Sequence, residues 1–245
     1  MTHIKRCLLA GYCRNPEQCT DLSPHYIAIH GLNGEGGRIA AANIPRDYRY
    51  ITLANSPVRE SQPKIYELLE KYVETFAGKE RIKSLYLWSE SPGTGKTTTA
   101  SALANEYIIR NYLSALKAGE QPPQMPAYFL DVNEWQTDYN EFNRPRVPEP
   151  IAEKAAAKYY RAMEKAKEAP FAILDDIGVR EASEGFRGDL HAIINYRVTN
   201  ELPTVYTSNL PVEEMARIFD ARLYDRIRDM AGVIEFVGES KRGRR

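Results

Sequence analysis

Short apolar runs alternate along this chain with segments in which apolar residues recur every three or four positions. The short runs predict buried strands at 85–88, 127–132, 171–175, 204–207 and 233–237. The segments between and around them predict helices at 65–76, 96–117, 151–168, 186–200, 211–219 and 221–230. Strands that alternate with helices indicate an α/β fold of three layers, with helices on both faces of a mostly parallel five-stranded sheet.

The segment between the second and third strands is predicted to be a loop followed by a helix. Its first part, 138–150, contains prolines and is predicted to be a loop. The helix at 151–168 is rich in Ala, Lys and Glu, so we expect it to be largely exposed.

Residues 1–44 differ in character from the rest of the chain. They hold all three cysteines and a glycine-rich stretch at 31–37, which predicts a hairpin turn between short strands at 26–29 and 38–41. Ile44-Pro45 marks the predicted boundary, because proline resists the continuation of regular structure. We therefore expect a small N-terminal partner-binding module, 1–44, followed by one large domain, 45–245.

Composition narrows the classes of function. The 33 basic and 33 acidic residues cancel, so any nucleic-acid contact must come from a local patch. No segment approaches the roughly 18 consecutive apolar residues of a membrane span, and the first residues lack the apolar core of a secretory signal. Three clustered cysteines are not a disulfide framework. We expect a cytoplasmic protein without a membrane partner.

A phosphate-binding motif follows the first strand and opens a helix. It consists of Ser91, Pro92, Gly93, Thr94, Gly95, Lys96, Thr97 and Thr98. In such a loop the main-chain N–H groups face the phosphates of ATP or ADP beside a helix N-terminus. Lys96 would reach the β- and γ-phosphates, and Thr97 would ligate Mg²⁺. Glu90 stands where the motif usually has glycine, and its carboxylate is unfavourable near a triphosphate unless it points away.

Two further strands end in polar residues that suit nucleotide hydrolysis. Asp175 and Asp176 close the third strand, about 80 residues after the loop. There Asp175 would hold Mg²⁺ and Asp176 would orient or deprotonate the attacking water. Asn209 follows the fourth strand and would bind that water or the γ-phosphate. Each of these patterns also occurs where a strand simply meets a turn.

Arginines cluster near the end of the chain, at positions 222, 226, 228, 242, 244 and 245. A cationic fork offsets charge on a transferring phosphoryl group, and in ring-forming ATPases it comes from a neighbouring subunit. A solvated basic face is the alternative, and we prefer it for the last two.

Together these stretches resemble the AAA+ ATPases, and among them the bacterial and phage replicative-helicase loaders of the DnaC/DnaI kind. The likeness spans about 45–242 and includes the more specific pieces 174–178 and 223–227. It implies that Asn209 is sensor 1, Arg242 is sensor 2, and Arg226 is an arginine finger acting in trans, with Arg222 as second choice. Such loaders use ATP and single-stranded DNA to place a hexameric helicase on DNA, and they associate through their ATPase domains.

The same family carries an extra helical element between the second and third strands, for which 133–168 is a counterpart. Aromatic and cationic residues within it suit single-stranded DNA, although an exposed loop explains them equally well. These residues are Tyr139, Phe142, Arg144 and Arg146.

The N-terminal cysteines raise a metal hypothesis. Five residues separate each member of the series Cys7, Cys13, Cys19 and His25. Three thiolates and an imidazole suit tetrahedral Zn²⁺, and a small apolar-poor segment gains from a metal. His30 could replace His25, His3 could contribute, and three reduced thiols without metal remain the alternative.

The sequence thus predicts an ATP-dependent loader of a hexameric replicative helicase. One rival is a transposition helper ATPase of the IstB-like kind, which shares the core but acts on duplex DNA. The N-terminal cysteine segment favours the loader. A second rival is a nucleotide-gated scaffold or helicase inhibitor with little hydrolysis, because Asp176 is shorter than the commoner glutamate.

Overall fold

A parallel sheet forms the middle layer of the computed structural model, which describes residues 7–78, 80–178, 181–218 and 221–238. All five strands are parallel, and their order across the sheet is β2-β3-β4-β1-β5. Their bounds are β1 Ser84–Trp88, β2 Ala127–Asp131, β3 Phe171–Asp175, β4 Thr204–Ser208 and β5 Ala231–Glu235. The predicted fold class is confirmed. The first four strands agree with their predicted bounds to within one residue, and the last strand is shifted by two residues.

Helices cover both faces of the sheet. They are α1 Pro24–His30, α2 Gly37–Ala41, α3 Pro63–Glu74, α4 Lys96–Ala118, α5 Val132–Asn143, α6 Glu149–Glu168, α7 Glu184–Thr199, α8 Met215–Ile218 and α9 Ala221–Met230. Alternate strand residues face opposite layers: Leu85 and Leu87 pack with α3 and α4, whereas Tyr86 packs with α5–α7. No helix within the described ranges is long and apolar enough to cross a membrane.

The hairpin predicted around the glycine-rich stretch is wrong, because two short helices occupy its place. Pro24 stands at the first position of α1, and Tyr26, Ile29 and His30 are buried at helical spacing. Gly31, with φ 74°, ends that helix, and a Cβ there would lie 2.6 Å from the Gly36 Cα. The glycines thus permit a close helix–helix turn instead of a hairpin.

The loop predicted at 138–150 is wrong over its first part, since α5 continues to Asn143. Asp131 caps this helix by accepting hydrogen bonds from the N–H groups of Asn133 and Glu134. Helix α6 is exposed along most of its length as predicted, but it buries Ala155, Tyr159 and Ala166 against the sheet layer.

Residues 7–44 pack on the same sheet face as α4. Leu8, Ile29 and Ile39 belong to the apolar cluster that contains the interior residues of α4. The turn at 42–43 also pairs with the free edge of β2: Phe129 N–H donates to the Ala42 carbonyl, and the Asn43 amide donates to the Phe129 carbonyl. The role of 1–44 as a separate partner-binding module stays a prediction.

A buried arginine joins three elements on the other side of the molecule. Arg197 of α7 is 0% exposed, and burial lowers its pKa to about 10, so it is charged at neutral pH. Its guanidinium donates to one hydroxyl and to main-chain carbonyls that end α6 and precede β4. The acceptors are Thr204 Oγ1 and the carbonyls of Ala166, Lys167, Ala169 and Pro203.

We expect Arg197→Met to lower the free energy of unfolding by about 3 kcal/mol or more, because it leaves several buried carbonyls without a donor. Arg187→Met, at an exposed site on the same helix, is the matched control and should change stability by less than about 0.5 kcal/mol. Urea unfolding followed by circular dichroism measures both. Equal stability of the two variants would contradict this role.

Candidate nucleotide site

The loop between β1 and α4 has the geometry of an anion cradle. Gly93 and Gly95 adopt φ angles of 75° and 102°, which side-chain-bearing residues rarely adopt. A Cβ at Gly95 would also lie 2.5 Å from a methyl carbon of Val58, so the segment before α3 that contains Val58 packs directly on the loop. The loop leads into the N-terminus of α4, whose free N–H groups and dipole favour an anion.

Lys96 is buried in this cradle, close to carbonyl oxygens at its edge. It is 5% exposed, and its Nζ is 3.4 Å from the carbonyl oxygens of Ser89 and Ser91. Thr94 is also buried, and its hydroxyl has no hydrogen-bond partner among the residues that the structure describes. A buried cation beside an unsatisfied hydroxyl fits a ligand with several anionic oxygens, such as a polyphosphate.

Glu90 causes no conflict at the first position of the loop. Its side chain is exposed, and it is absent from the residues with left-handed backbone. A glycine is therefore not required here, and the carboxylate can remain in solvent. Of the other loop residues, Pro92 is exposed and Ser91, Thr97 and Thr98 are half-buried.

Asp175 and Thr97 are in contact, as the magnesium hypothesis requires. The Thr97 hydroxyl donates to Asp175 Oδ2 at 3.1 Å, and the Thr207 hydroxyl donates to Oδ1 at 2.6 Å. Burial of the Asp175 carboxyl raises its pKa to about 7, and the nearby Asp176 contributes. The raised pKa means that burial makes ionisation of Asp175 unfavourable. A hard divalent cation bound between this carboxyl, the Thr97 hydroxyl and the phosphate loop would favour the ionised form.

Asp176 follows in a left-handed conformation, with φ 59°. Its N–H donates to the Thr207 hydroxyl at 2.8 Å, and its Oδ2 is 3.4 Å from the Asn133 amide nitrogen. Because Asn133 lies in the first turn of α5, this contact joins the α5–α6 element to the site. Asn133 carried no signal in the sequence.

Asn209 follows the end of β4, whose neighbours in the sheet are β1 and β3. Its side chain is half-buried and has no hydrogen bond to any other described residue. Thr207 is the residue of this strand that contacts both acids. Sequence reasoning missed it, although a hydroxyl inside a buried strand must find a partner, and that requirement was the available signal.

Arg226 lies on the exposed side of α9, and its guanidinium donates to Asn195 and Thr199 of α7. The side chain of Arg222 and all of Arg242 lie outside the described residues. The role of Arg226 as a finger toward a neighbouring copy stays a prediction.

The zinc hypothesis is not supported. Among the residues that the structure describes, no group of three or more histidine, cysteine or acidic side chains could hold a metal ion. His25 Nδ1 is hydrogen-bonded to the Tyr112 hydroxyl at 2.8 Å, and Cys19 Sγ is 3.3 Å from Ser23 Oγ. Cys7 is half-buried against the core, whereas Cys13 is exposed. Equal sequence spacing did not bring these ligands together.

The aromatic residues predicted to stack on DNA bases are half-buried and pack against the apolar core. Tyr139 and Phe142 belong to a cluster that joins α5, α6 and α7, with Phe142 5.4 Å from the Tyr159 ring. Arg144 and Arg146 remain exposed in the loop between α5 and α6. The cationic half of that predicted surface is therefore more exposed than the aromatic half.

No protein-family model matches the chain. A curated relative is the replicative helicase loader DnaC of Escherichia coli strain K12, 23% identical over 169 residues, which are 69% of this chain and 59% of that protein. The chain thus spans less than two thirds of this relative's length.

Solved structures of DnaI, DnaC and DnaA are also similar to this chain. A crystal structure of DnaI is 26% identical, with a TM-score of 0.55 over 79% of this chain and 94% of that one. A DnaC helicase loader is 21% identical, with a TM-score of 0.57 over 79% and 100% of the two chains. AMPPCP-bound DnaA from Aquifex aeolicus, 18% identical, has the same fold, with a TM-score of 0.52 over 79% and 51%. The fold is that of an AAA+ P-loop domain, and the resemblance of this chain to the DnaC and DnaI replicative-helicase loaders is confirmed.

Proposed function

We propose that the protein is an ATP-dependent loader of a hexameric replicative DNA helicase, which binds ATP and single-stranded DNA and hydrolyses ATP between subunits. The observation that carries the proposal is the contact between Thr97 and Asp175 beside the buried Lys96. It joins the phosphate loop to the acidic end of β3, as a site for Mg²⁺ and a triphosphate requires. The likeness to DnaC and DnaI supports the helicase as partner.

Each residue has a distinct task in this proposal. Lys96 and the N–H groups of the loop bind the β- and γ-phosphates, and Thr97 with Asp175 holds Mg²⁺. When bound, Mg²⁺ supplies positive charge to the phosphate oxygens. Asp176 orients the attacking water, and Asn209 binds that water or the γ-phosphate.

Single-stranded DNA would contact this protein mainly through cations. The exposed Arg144 and Arg146 support a phosphate contact at the α5–α6 loop. Tyr139 and Phe142 are half-buried in ring contacts within the protein, which leaves less of each ring for base stacking.

A nucleotide-gated scaffold is the second candidate, and the state of Asp176 favours it. The carboxylate is short, its backbone is left-handed, and its side chain contacts Asn133. Tight ATP binding by the unmodified chain, with no turnover above that of Lys96→Ala, would favour this candidate over an ATPase.

We expect Lys96→Ala to weaken ATP binding by about tenfold or more, because charge-assisted contacts to phosphate are strong. Titration with a fluorescent ATP analogue measures the dissociation constant. The exposed Lys64→Ala on α3 is the matched control and should bind as the unmodified chain does. Unchanged affinity in Lys96→Ala would remove the nucleotide-site assignment.

We expect Arg226→Ala to bind ATP normally but to lower turnover by about a hundredfold or more, as loss of an arginine finger does. Arg228→Ala on the same exposed helix is the control and should retain turnover. Mixing Arg226→Ala with Lys96→Ala chains should restore part of the activity, because the second chain supplies Arg226 to the intact loop of the first. If the mixture stays inactive, the site is not shared between subunits.

The N-terminal segment presents exposed apolar side chains to a partner, with Leu22 71% and Leu32 64% exposed. We expect the double variant Leu22→Asp, Leu32→Asp to weaken capture of the hexameric helicase by about tenfold or more, as loss of apolar interface anchors does.

Pull-down with the full-length chain measures that capture. Leu68→Asp, 54% exposed on α3, is the control and should bind normally. An equal loss in both variants would argue against a specific N-terminal contact. Capture of a transposase instead of the helicase would favour the transposition helper.

A further inference from the structure

The hydroxyl of Thr207 contacts two consecutive acidic residues, the side chain of Asp175 and the main chain of Asp176. Thr207 lies on β4, between β1 and β3, and is 0% exposed. The oxygen is 2.6 Å from Asp175 Oδ1 and 2.8 Å from the main-chain nitrogen of Asp176. A hydroxyl carries a single proton, and the Asp176 N–H can only donate. When the Asp175 carboxyl is ionised, the proton therefore points to Asp175 while the oxygen accepts from the Asp176 N–H, and the hydroxyl has a single orientation.

This orientation divides the two oxygens of Asp175 between different partners. Oδ1 accepts from Thr207, so Oδ2 is the oxygen that faces Thr97 and the phosphate loop. Without the hydroxyl, the buried carboxylate would lose one of its two hydrogen bonds and the restraint on its rotation.

The same strand end also holds the unusual backbone of Asp176. Besides the hydroxyl contact, the Thr207 carbonyl accepts from Ile177 N–H at 2.9 Å. The Ser208 hydroxyl donates to the Ile177 carbonyl at 2.8 Å. A left-handed backbone at an aspartate costs free energy, and it persists only when surrounding contacts hold it in place. These contacts fix it, and the resulting turn brings the Asp176 carboxylate to Asn133.

We propose that Thr207 is a positioning residue that directs Asp175 toward the metal-binding hydroxyl of Thr97 and holds Asp176 in the conformation needed to orient water. The proposal rests on the proposed function, because it assigns a role within the same nucleotide site. Asn209, just after the same strand, would act on the ligand, whereas Thr207 acts on the protein's own acids.

Three variants test this role. Thr207→Val removes the hydroxyl and keeps the shape, and Thr207→Ser keeps the hydroxyl. Thr204→Val makes the same chemical change in the same strand, where the hydroxyl binds Arg197 instead of an acid. It is the matched control and should lower stability without altering the site.

We expect Thr207→Val to lower kcat by about tenfold or more, with KM changed less than about threefold, because the lost contact is to a charged group that acts in turnover. Thr207→Ser should restore most of kcat. In a crystal structure of nucleotide-free Thr207→Val, the Asp175 carboxylate should rotate away from Thr97, and Asp176 should leave its left-handed conformation.

Retention of the Asp175–Thr97 contact and of kcat in Thr207→Val would overturn the proposal, as would a Thr207→Ser variant with the defect of Thr207→Val. If the unmodified chain does not hydrolyse ATP, the proposed ATPase activity fails, and the crystal structures still decide the role of Thr207.

Discussion

The parallel pairing of β1, β3 and β4 is the constraint on which the site depends. Because all three strands run in one direction, their carboxyl ends meet at one edge of the sheet. That edge receives the phosphate loop from β1, the two acids from β3 and the threonine from β4. Side-chain hydrogen bonds then join Asp175 of β3 to Thr207 of β4 and to Thr97 of helix α4, which follows the phosphate loop.

Much of this arrangement could be predicted from the sequence, for a physical reason. A strand buried on both faces must be apolar throughout, so Phe171–Asp175 was identified with its observed bounds. The loop motif likewise fixes a local conformation through its glycines. The sequence predicted Thr97 and Asp175 as ligands of one Mg²⁺, and in the structure the two side chains are in contact.

The failures arose where tertiary contacts decide the structure. Glycines at 31–37 suit a hairpin and a helix–helix turn equally, and only the burial of Tyr26 and Ile29 against the core selects helices. Equal spacing of Cys7, Cys13 and Cys19 was an insufficient reason to expect a metal site, because the three residues do not share a helix or strand that would place their side chains together. Thr207 was not predicted, because a threonine inside a strand is common, whereas a polar residue just after a strand, such as Asn209, is typical of a site.

The turn at 42–43 has a consequence for how this chain can be divided. Ala42 and Asn43 satisfy the outward N–H and carbonyl of Phe129, so they close the free edge of β2. Proteolysis or truncation at the predicted boundary after residue 44 would open that edge. An uncovered edge strand pairs readily with other chains. A fragment of residues 45–245 would then be prone to aggregate, and a fragment that keeps residue 42 onward would be the more soluble one.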